Sequence, residues 1–266
     1  MIPRLLLTGA AGGLGKALRP RLKGDCHILR LSDLVPLDPP AAHEECMQVD
    51  LGDADAVMKM VEGCEAIVHL GGISVEAPWS HILKANIDGL VHLYEAARIH
   101  KVRRVVFASS NHVMGFHRQD QVVDALTPPR PDGFYGLSKA FGEDLSRLYF
   151  DRYGIETACV RIGSSYPEPK DRRMLATWLS YDDLHRLVVA CLTTPVLGHT
   201  IIYGTSDNAV SWYDNRLAHH VGYRPQDSAD VYRDAVYART KDPDLTDPTT
   251  LYQGGAFVKI GPLSES

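Results

Sequence analysis

The sequence lacks any long hydrophobic run. No apolar stretch among its 266 residues approaches the length of about 20 residues that a membrane-spanning helix needs. The N-terminus leads directly into a predicted strand, without the charged and apolar regions of a secretory signal peptide. We therefore expect no membrane partner and a cytoplasmic location.

Basic clusters are also lacking. The net charge is −5, and no block of lysine and arginine residues interrupts this acidic balance. Surfaces that bind nucleic acids need concentrated positive charge. The composition therefore argues against a nucleic-acid partner.

Cysteine is scarce and irregularly placed. The five cysteines are odd in number and lie far apart, at positions 26, 46, 64, 159 and 191. This pattern fits neither a disulfide framework nor a zinc site, and it is typical of buried thiols in a reducing compartment. The twelve histidines show no ligand spacing such as His-Glu-x-x-His. We expect no bound metal.

Glycine, by contrast, is concentrated near the N-terminus. Residues 8–15 read Thr-Gly-Ala-Ala-Gly-Gly-Leu-Gly and lie between an apolar strand and a helical segment. Such glycines permit a tight turn and let the backbone approach a pyrophosphate at the helix N-terminus. A glycine-rich loop alone is a weak signal, but here Asp33 closes the next strand, eighteen residues after Gly15. The combination predicts a dinucleotide-binding site.

Predicted strands and helices alternate along the first 163 residues. The strands are predicted at 4–7, 27–31, 45–49, 66–70, 104–108 and 157–162, and the helices at 13–22, 54–62, 81–100 and 135–153. Apolar strands separated by helices indicate a parallel sheet covered on both faces. We predict a Rossmann-type, doubly wound α/β fold, with its site at the carboxyl ends of the strands.

The pattern weakens after Ile162, where we predict a helix at 181–192, a strand at 200–203 and irregular tail segments. The tail is too short for an independent domain. We therefore expect a single domain over residues 1–266, with a dinucleotide-binding core at 1–163 and a small C-terminal lobe at 164–266 that covers the substrate.

Two acidic residues at predicted strand ends suggest contacts with the nucleotide. A carboxylate at Asp33 can accept hydrogen bonds from both ribose hydroxyls and repels a 2′-phosphate, and no basic residue follows it, so NAD is favoured over NADP. Asp33 could instead be an ordinary exposed turn residue. Asp50 could bond the adenine amino group or simply end its strand.

Tyr135 and Lys139 have the i, i+4 spacing that places two side chains on one helical face. An ammonium near a phenol stabilises the phenolate and lowers the phenol pKa toward working pH, which makes the tyrosine a credible general base. Ser110 lies 25 residues upstream at a strand end, where it would hydrogen-bond the reacting oxygen.

Together these residues resemble the extended short-chain dehydrogenases/reductases, the NAD-dependent epimerase/dehydratase family. The matching positions are residues 8–15, Asp33, Asp50 and Leu51, residues 69–72, Ser110, Tyr135, Lys139 and Arg161. Within that family, further motifs are similar to those of the uronate dehydrogenases. They lie at 70–76, 109–112, 130–133, 161–164, 167–169, 173–175 and 253–257, along nearly the whole chain.

The loop spacing and the resemblance together imply two sets of binding residues. The cofactor set is Gly9, Gly12, Gly13, Leu14, Gly15, Asp33, Asp50, Leu51, Leu70, Gly71, Gly72, Ser74, Tyr135, Lys139 and Ile162. The sugar set is Ser74, Ser110, Asn111, His112, Tyr135, Ser164 and Arg173. His112 could instead be a packed loop histidine and Asn111 a turn former. Spacing alone does not decide which of Arg172 and Arg173 points inward.

The resemblance implies an NAD-dependent oxidation of a hexuronic acid, galacturonate or glucuronate, at C1 to the aldarolactone, in hexuronate catabolism. Tyr135 would remove the proton of the C1 hydroxyl, and Arg173 would clamp the C6 carboxylate. It also implies a homo-oligomer that assembles through the helices at 81–100 and 135–153. Three alternatives remain open: a nucleotide-sugar epimerase or dehydratase, a steroid or small-alcohol dehydrogenase, and a non-catalytic protein that senses NAD.

Overall fold

A central parallel sheet dominates the computed structural model of the protein, which describes residues 1–261, 263 and 264. The strands are β1 (Ile2–Thr8), β2 (Cys26–Asp33), β3 (Glu44–Gln48), β4 (Ala66–His69), β5 (Arg104–Ser110), β6 (Glu156–Ile162) and β7 (His199–Gly204). They lie in the order β3-β2-β1-β4-β5-β6-β7, and all neighbours are parallel. The strand order reverses between β1 and β4, where α/β folds of this type bind ligands. The predicted doubly wound fold is confirmed.

Helices connect the strands and cover both faces of the sheet. They are α1 (Gly13–Leu18), α2 (Ala54–Val61), α3 (Trp79–Ile82), α4 (Gly89–Ile99), α5 (Phe134–Tyr153), α6 (Met174–Thr177), α7 (Tyr181–Thr193), α8 (Arg233–Arg239) and α9 (Pro248–Leu251). Short 3₁₀ turns occur at Leu22–Gly24, Asn111–Met114, Arg216–Val221, Ala229–Tyr232 and Gly255–Lys259. Among the described residues, no helix combines the length and apolar character that a membrane crossing requires.

The predicted helix at 81–100 is interrupted. A π-helical segment, Leu83–Asp88, separates α3 from α4. Within it, the Asn86 amide bonds both backbone groups of Ile73, in the loop after β4. Single π turns inside helices often mark functional positions, because the wider turn redirects a side chain.

The core lies on both faces of the sheet. Side chains alternate along a strand, so the consecutive leucines of β1 serve two layers. Leu5 and Leu7 pack with Leu184 and Leu187 of α7, whereas Leu6 packs with Leu90 of α4. All six of these leucines are at most 1% exposed. This double coverage explains why the strands are nearly continuous apolar runs.

A buried carboxylate joins the segments after β7 to helix α7. Asp183 of α7 is fully buried and accepts hydrogen bonds from the Ser206 hydroxyl at 2.7 Å and the Gln226 amide at 2.8 Å.

Three residues of the predicted lobe at 164–266, namely 262, 265 and 266, lie outside the described residues.

Candidate active site

The glycine loop follows β1 and contains glycines of two kinds. Gly9 has a φ of +68°, and a Cβ there would lie 2.7 Å from the Leu70 carbonyl carbon. A Cβ at Gly15 would collide with the Gly9 carbonyl oxygen, so both glycines permit close backbone packing. In contrast, a Cβ at Gly13 would meet no atom within 4 Å. Leu14 packs against the core, so the loop is anchored on one side and open on the other.

Asp33 lies beside this loop at the carboxyl end of β2. Its Oδ2 accepts a hydrogen bond from the Ala11 backbone amide at 2.9 Å, and its Oδ1 accepts one from the Val35 amide at 3.3 Å. The carboxylate is therefore held against the glycine loop, where a nucleotide ribose would lie in a site of this type.

Asp50 lies farther along the same edge of the sheet and already has partners. Its Oδ2 is 2.7 Å from Lys84 Nζ, and its Oδ1 accepts a hydrogen bond from the Gly52 amide at 2.8 Å. These two bonds, with that from Lys84 the stronger, lower the pKa of Asp50. Each oxygen keeps a lone pair for a further donor. Leu51 packs beside it against the core layer that contains Leu6 and Leu90.

The loop after β4 runs next to the glycine loop. The Gly71 amide donates to the Thr8 hydroxyl at 3.1 Å. Gly72 has a φ of +108°, and a Cβ there would lie 2.7 Å from Asn86 Oδ1. The loop is thus tied to β1 on one side and to the π-helical segment on the other. Leu70 is half-buried in it, and Ser74 is exposed just beyond.

Ser110, Tyr135 and Lys139 come together at the carboxyl end of β5. The Tyr135 phenol forms a hydrogen bond with Ser110, and the Lys139 ammonium lies 5.7 Å from the centre of the Tyr135 ring. All three residues are at most 7% exposed. Ile162 ends the neighbouring strand β6 and lines the same edge of the sheet.

The phenol pKa differs from the sequence prediction. Burial raises the pKa of Tyr135 to about 12, and its hydrogen bond with Ser110 opposes the rise only in part. Burial also lowers the pKa of Lys139 to about 8. The prediction that the phenol pKa lies near working pH is therefore wrong for the protein alone, because desolvation raises this pKa.

Arg173 and Arg172 point in different directions. Arg173 donates from Nε to the Gln253 carbonyl at 2.6 Å and from Nη1 to the Ser164 hydroxyl at 3.3 Å. Its Nη2 is buried and has no hydrogen-bond partner within the described residues. Arg172 instead forms an ion pair with Asp242 at 2.9 Å and contacts the Tyr237 ring. Arg173 is the arginine that points inward.

Asn111 and His112 directly follow Ser110 and contact aromatic side chains of the site. The Asn111 amide donates to the Tyr213 hydroxyl at 3.3 Å. The His112 ring stacks on Phe257 with centroids 3.8 Å apart and contacts the edge of Tyr135 at 5.8 Å. Burial lowers the pKa of His112. His112 is thus a packed loop histidine, which was one of its two interpretations. One of the rings it packs against is that of the predicted base, Tyr135.

Comparison with known proteins agrees with this arrangement. The model of the NAD dependent epimerase/dehydratase family matches residues 5–194. The chain belongs to this family.

Members with high sequence identity cover nearly the whole chain. The uronate dehydrogenase of Pseudomonas syringae pv. tomato is 57% identical over 263 residues, which are 98% of this chain and 95% of that protein. The uronate dehydrogenase of Pseudomonas putida is 57% identical over 262 residues, 98% of this chain and 97% of that protein. A mutant uronate dehydrogenase from Agrobacterium tumefaciens, crystallised in complex with NAD, is 50% identical, has a TM-score of 0.98 and is covered completely, as is this chain.

The residues of this family member fit NAD. The open side of Gly13 leaves room for phosphates, and Asp33 supplies a carboxylate where the ribose of NAD needs an acceptor. In the part of the chain that the structure describes, no group of three or more His, Cys, Asp or Glu side chains could hold a metal ion.

Four residues that contact the site escaped the sequence analysis: Glu76, Asp132, Tyr213 and Phe257. Three of them lie in motifs quoted only for their resemblance. Glu76 accepts hydrogen bonds from the Phe134 and Tyr135 backbone amides at 2.9 and 3.0 Å. Because its partners are 58 and 59 residues away, no local spacing indicates this contact. The matched motifs are the only signal that could have found it.

Proposed function

We propose that this protein oxidises the hexuronic acids galacturonate and glucuronate at C1, with NAD, to the aldarolactone. The observation that carries the proposal is the buried, unpartnered Nη2 of Arg173, which lies among the described residues without a carboxylate to bind it. A desolvated guanidinium with a free donor recognises a carboxylate through charge-assisted, paired hydrogen bonds. The named uronate dehydrogenases at 57% identity support the same substrate class.

The catalytic residues have separate tasks. Tyr135, when ionised, takes the proton from the C1 hydroxyl, and Ser110 holds the same oxygen through its hydroxyl. Lys139 supplies positive charge beside the phenol and is placed to hold the nicotinamide ribose. Bound NAD supplies a hydride acceptor for C1. Because no water takes part in this oxidation, the ring stays closed and the first product is a lactone.

Residues at the nucleotide end make NAD the preferred cofactor. Asp33 accepts the ribose hydroxyls and repels a 2′-phosphate. The glycine loop, Asp50, Leu51 and the loop from Leu70 to Ser74 would hold the remainder of the nucleotide. Tyr135, Lys139 and Ile162 would hold its nicotinamide end.

The deciding experiment measures NADH absorbance with purified protein. Galacturonate, glucuronate, galactose, glucose and a nucleotide sugar are each supplied with NAD or NADP. We expect turnover of both uronates with NAD and little with the neutral hexoses. Conversion of the nucleotide sugar without net NADH formation, detected by chromatography of the same mixtures, would instead support an epimerase or dehydratase, and NAD binding without any conversion would support a sensing protein.

Replacement of Tyr135 by Phe tests the base. We expect Tyr135→Phe to lower kcat by about 10²- to 10⁴-fold, the usual contribution of a general base, with NAD affinity retained. Steady-state rates and NAD titration by calorimetry measure both effects. Retention of more than about a tenth of wild-type kcat would mean that another group accepts the proton.

We further propose a cytoplasmic homo-oligomer that acts in hexuronate catabolism and has no nucleic-acid or membrane partner. Its substrate lobe and tail, 164–266, cover the dinucleotide-binding core, 1–163, within a single domain. Free cysteines, four of the five buried, suit a reducing compartment. Leu137 and Leu148 of α5 are 46% and 48% exposed, and Ile99 at the end of α4 is 50% exposed, which supports assembly through these helices. Light scattering during size-exclusion chromatography measures the subunit number.

A further inference from the structure

Asp132 is a buried carboxylate that the proposed chemistry does not use. It lies in the loop before α5, and its side chain has no exposed surface. Its Oδ2 lies 2.7 Å from His112 Nδ1, and its Oδ1 has no partner among the residues described.

The surrounding backbone is shaped around this carboxylate. Gly115, Gly136 and Gly254 come from three different segments, and a Cβ at any of them would press against the Asp132 side chain. Two backbone hydrogen bonds hold these segments in place: the Gly254 amide donates to Gly115, and the Asp132 amide donates to His112. The position of Asp132 is therefore fixed from several sides, and it can in turn fix its partner.

The contact determines which nitrogen of His112 carries the proton. A carboxylate only accepts hydrogen bonds, so a neutral imidazole beside it must hold its proton on Nδ1. The other nitrogen, Nε2, then carries a lone pair and accepts hydrogen bonds. The lowered pKa of His112, caused by burial and opposed by Asp132, keeps the ring neutral near pH 7.

Part of the His112 side chain remains exposed. The His112 side chain is 12% exposed, whereas that of Asp132 is fully covered. Phe257 covers one face of the ring, and Tyr135 contacts its edge. Besides Asp132, the charged groups that influence the pKa of His112 are Arg173, which lowers it, and Glu76, which raises it. No hydrogen bond to Nε2 forms within the described residues, so this acceptor is available to a ligand.

We propose that Asp132 is a positioning residue that fixes the tautomer and orientation of His112, so that Nε2 accepts a hydrogen bond from a hydroxyl of the uronate ring. The choice of a hydroxyl ligand rests on the proposed function. The Asp132–His112 pair is thereby a specificity device: it favours a ligand that presents a donor and rejects one that presents an acceptor at the same place.

The tautomer can be read directly in the wild-type protein. In a ¹⁵N spectrum of ligand-free protein, His112 is identified by the signals that disappear in His112→Gln. We expect a protonated Nδ1 and an unprotonated Nε2. A protonated Nε2 would overturn the proposal, whatever the variants show.

A variant of Asp132, a control variant and a double-mutant cycle test whether Asp132 acts on the substrate through His112. Asp132→Ala should lower kcat/KM for galacturonate about tenfold or more, mainly through KM, because the hydroxyl loses an oriented acceptor. Asp25→Ala is the matched control, since Asp25 Oδ2 makes a similar bond of 2.8 Å to His185 Nε2 away from the site. In a His112→Ala background, Asp132→Ala should cause no further loss in kcat/KM.

Equal kcat/KM for the Asp132→Ala and Asp25→Ala proteins would contradict the proposal, as would a full further loss in the His112→Ala background. If Asp132→Ala does not fold, the wild-type spectrum still decides. Failure of the proposed function looks different: wild type would oxidise no uronate. If uronates are oxidised and Nε2 of His112 carries the proton, the proposed function stands and the proposed role of Asp132 is contradicted.

Discussion

Arg172 and Arg173 are chemically identical neighbours with opposite surroundings. Arg172 is neutralised by Asp242, whereas Arg173 is held by a carbonyl and a hydroxyl that leave its charge uncompensated. Positive charge that is positioned but not neutralised is costly for the free protein. The proposed uronate carboxylate would supply the missing partner.

Replacement of Arg173 should therefore separate substrate binding from cofactor binding. We expect Arg173→Ala to reduce kcat/KM for galacturonate about tenfold to a hundredfold, the value of a charge-assisted hydrogen bond, with NAD binding unchanged. Arg173→Lys should restore only part, because a point charge cannot reproduce the planar fork. Arg172→Ala is the matched control. If Arg172→Ala alone impaired uronate oxidation, the clamp would be assigned to the wrong arginine.

The pH dependence follows from the pKa values of Tyr135 and Lys139. Only the phenolate accepts a proton, and burial raises the phenol pKa to about 12, so kcat/KM should rise with pH through the neutral and mildly alkaline range. Lys139, with a pKa of about 8, is charged mainly below that pH and stabilises the phenolate there. Lys139→Met should therefore lower kcat/KM most on the acidic side and shift the profile to higher pH. A flat wild-type profile, or a shift to lower pH, would exclude this pair as the base.

At the residue scale, sequence reasoning located side chains with local signatures. Tyr135 and Lys139 share a helical face, and Ser110 ends a strand, so spacing was enough to bring them together. The direction of the Tyr135 pKa shift was not predictable, because it depends on how much solvent the surrounding fold excludes. Asp132 was missed for the same reason: its effect depends on enclosure by glycines of three separate segments, one of them Gly254 near the C-terminus.

Helix α5 carries the predicted base and is fixed at its first turn by Glu76. The two carboxylate oxygens accept from two backbone amides that have no partner inside the helix. Negative charge at this end also suits the helix dipole. The position of Tyr135 thus depends on a residue of the loop after β4.

Glu76→Gln tests this dependence with little change in shape. An amide offers one acceptor oxygen, so one backbone donor would face an NH₂ group, at a cost of about 1–3 kcal/mol. We expect a lower melting temperature by several degrees and a reduced kcat, with NAD affinity retained. Glu65→Gln, at an exposed position, is the control. A melting temperature and kcat equal to those of this control would show that Glu76 does not position the helix.

The order of elements was predictable, and the shape of one helix was not. Apolar runs and glycine positions predicted the strands and the doubly wound topology. The helix at 81–100 was expected to be continuous because its apolar pattern does not stop at 83–88. The break involves Asn86 and a loop thirteen residues away, a contact that periodicity does not record.

At the scale of the whole molecule, one buried ion pair joins the sheet to α5. Arg161 of β6 donates to both Glu143 oxygens at 2.9 and 2.8 Å, and its Nη1 donates to the Tyr203 hydroxyl of β7 at 2.8 Å. The Ser109 hydroxyl of β5 donates to the same carboxylate at 2.6 Å. Resemblance predicted Arg161 as a matched residue, but its partner, 18 residues away, was not predicted.

This network should make stability depend on both charges together. Arg161→Met leaves the Glu143 charge buried without its ion-pair partner, which should lower the free energy of unfolding by about 3–5 kcal/mol. Arg161→Met combined with Glu143→Leu removes both charges. The double variant should therefore lose clearly less stability than the sum of the two single variants. Free energies of unfolding in urea measure the coupling. The exposed pair Arg147–Asp151 within α5 is the control, with an expected effect below about 1 kcal/mol. Because Glu143 lies on the same helix as Tyr135, both single variants should also lose kcat. Additive free energies in the double variant would show that the four elements are held together by apolar packing alone.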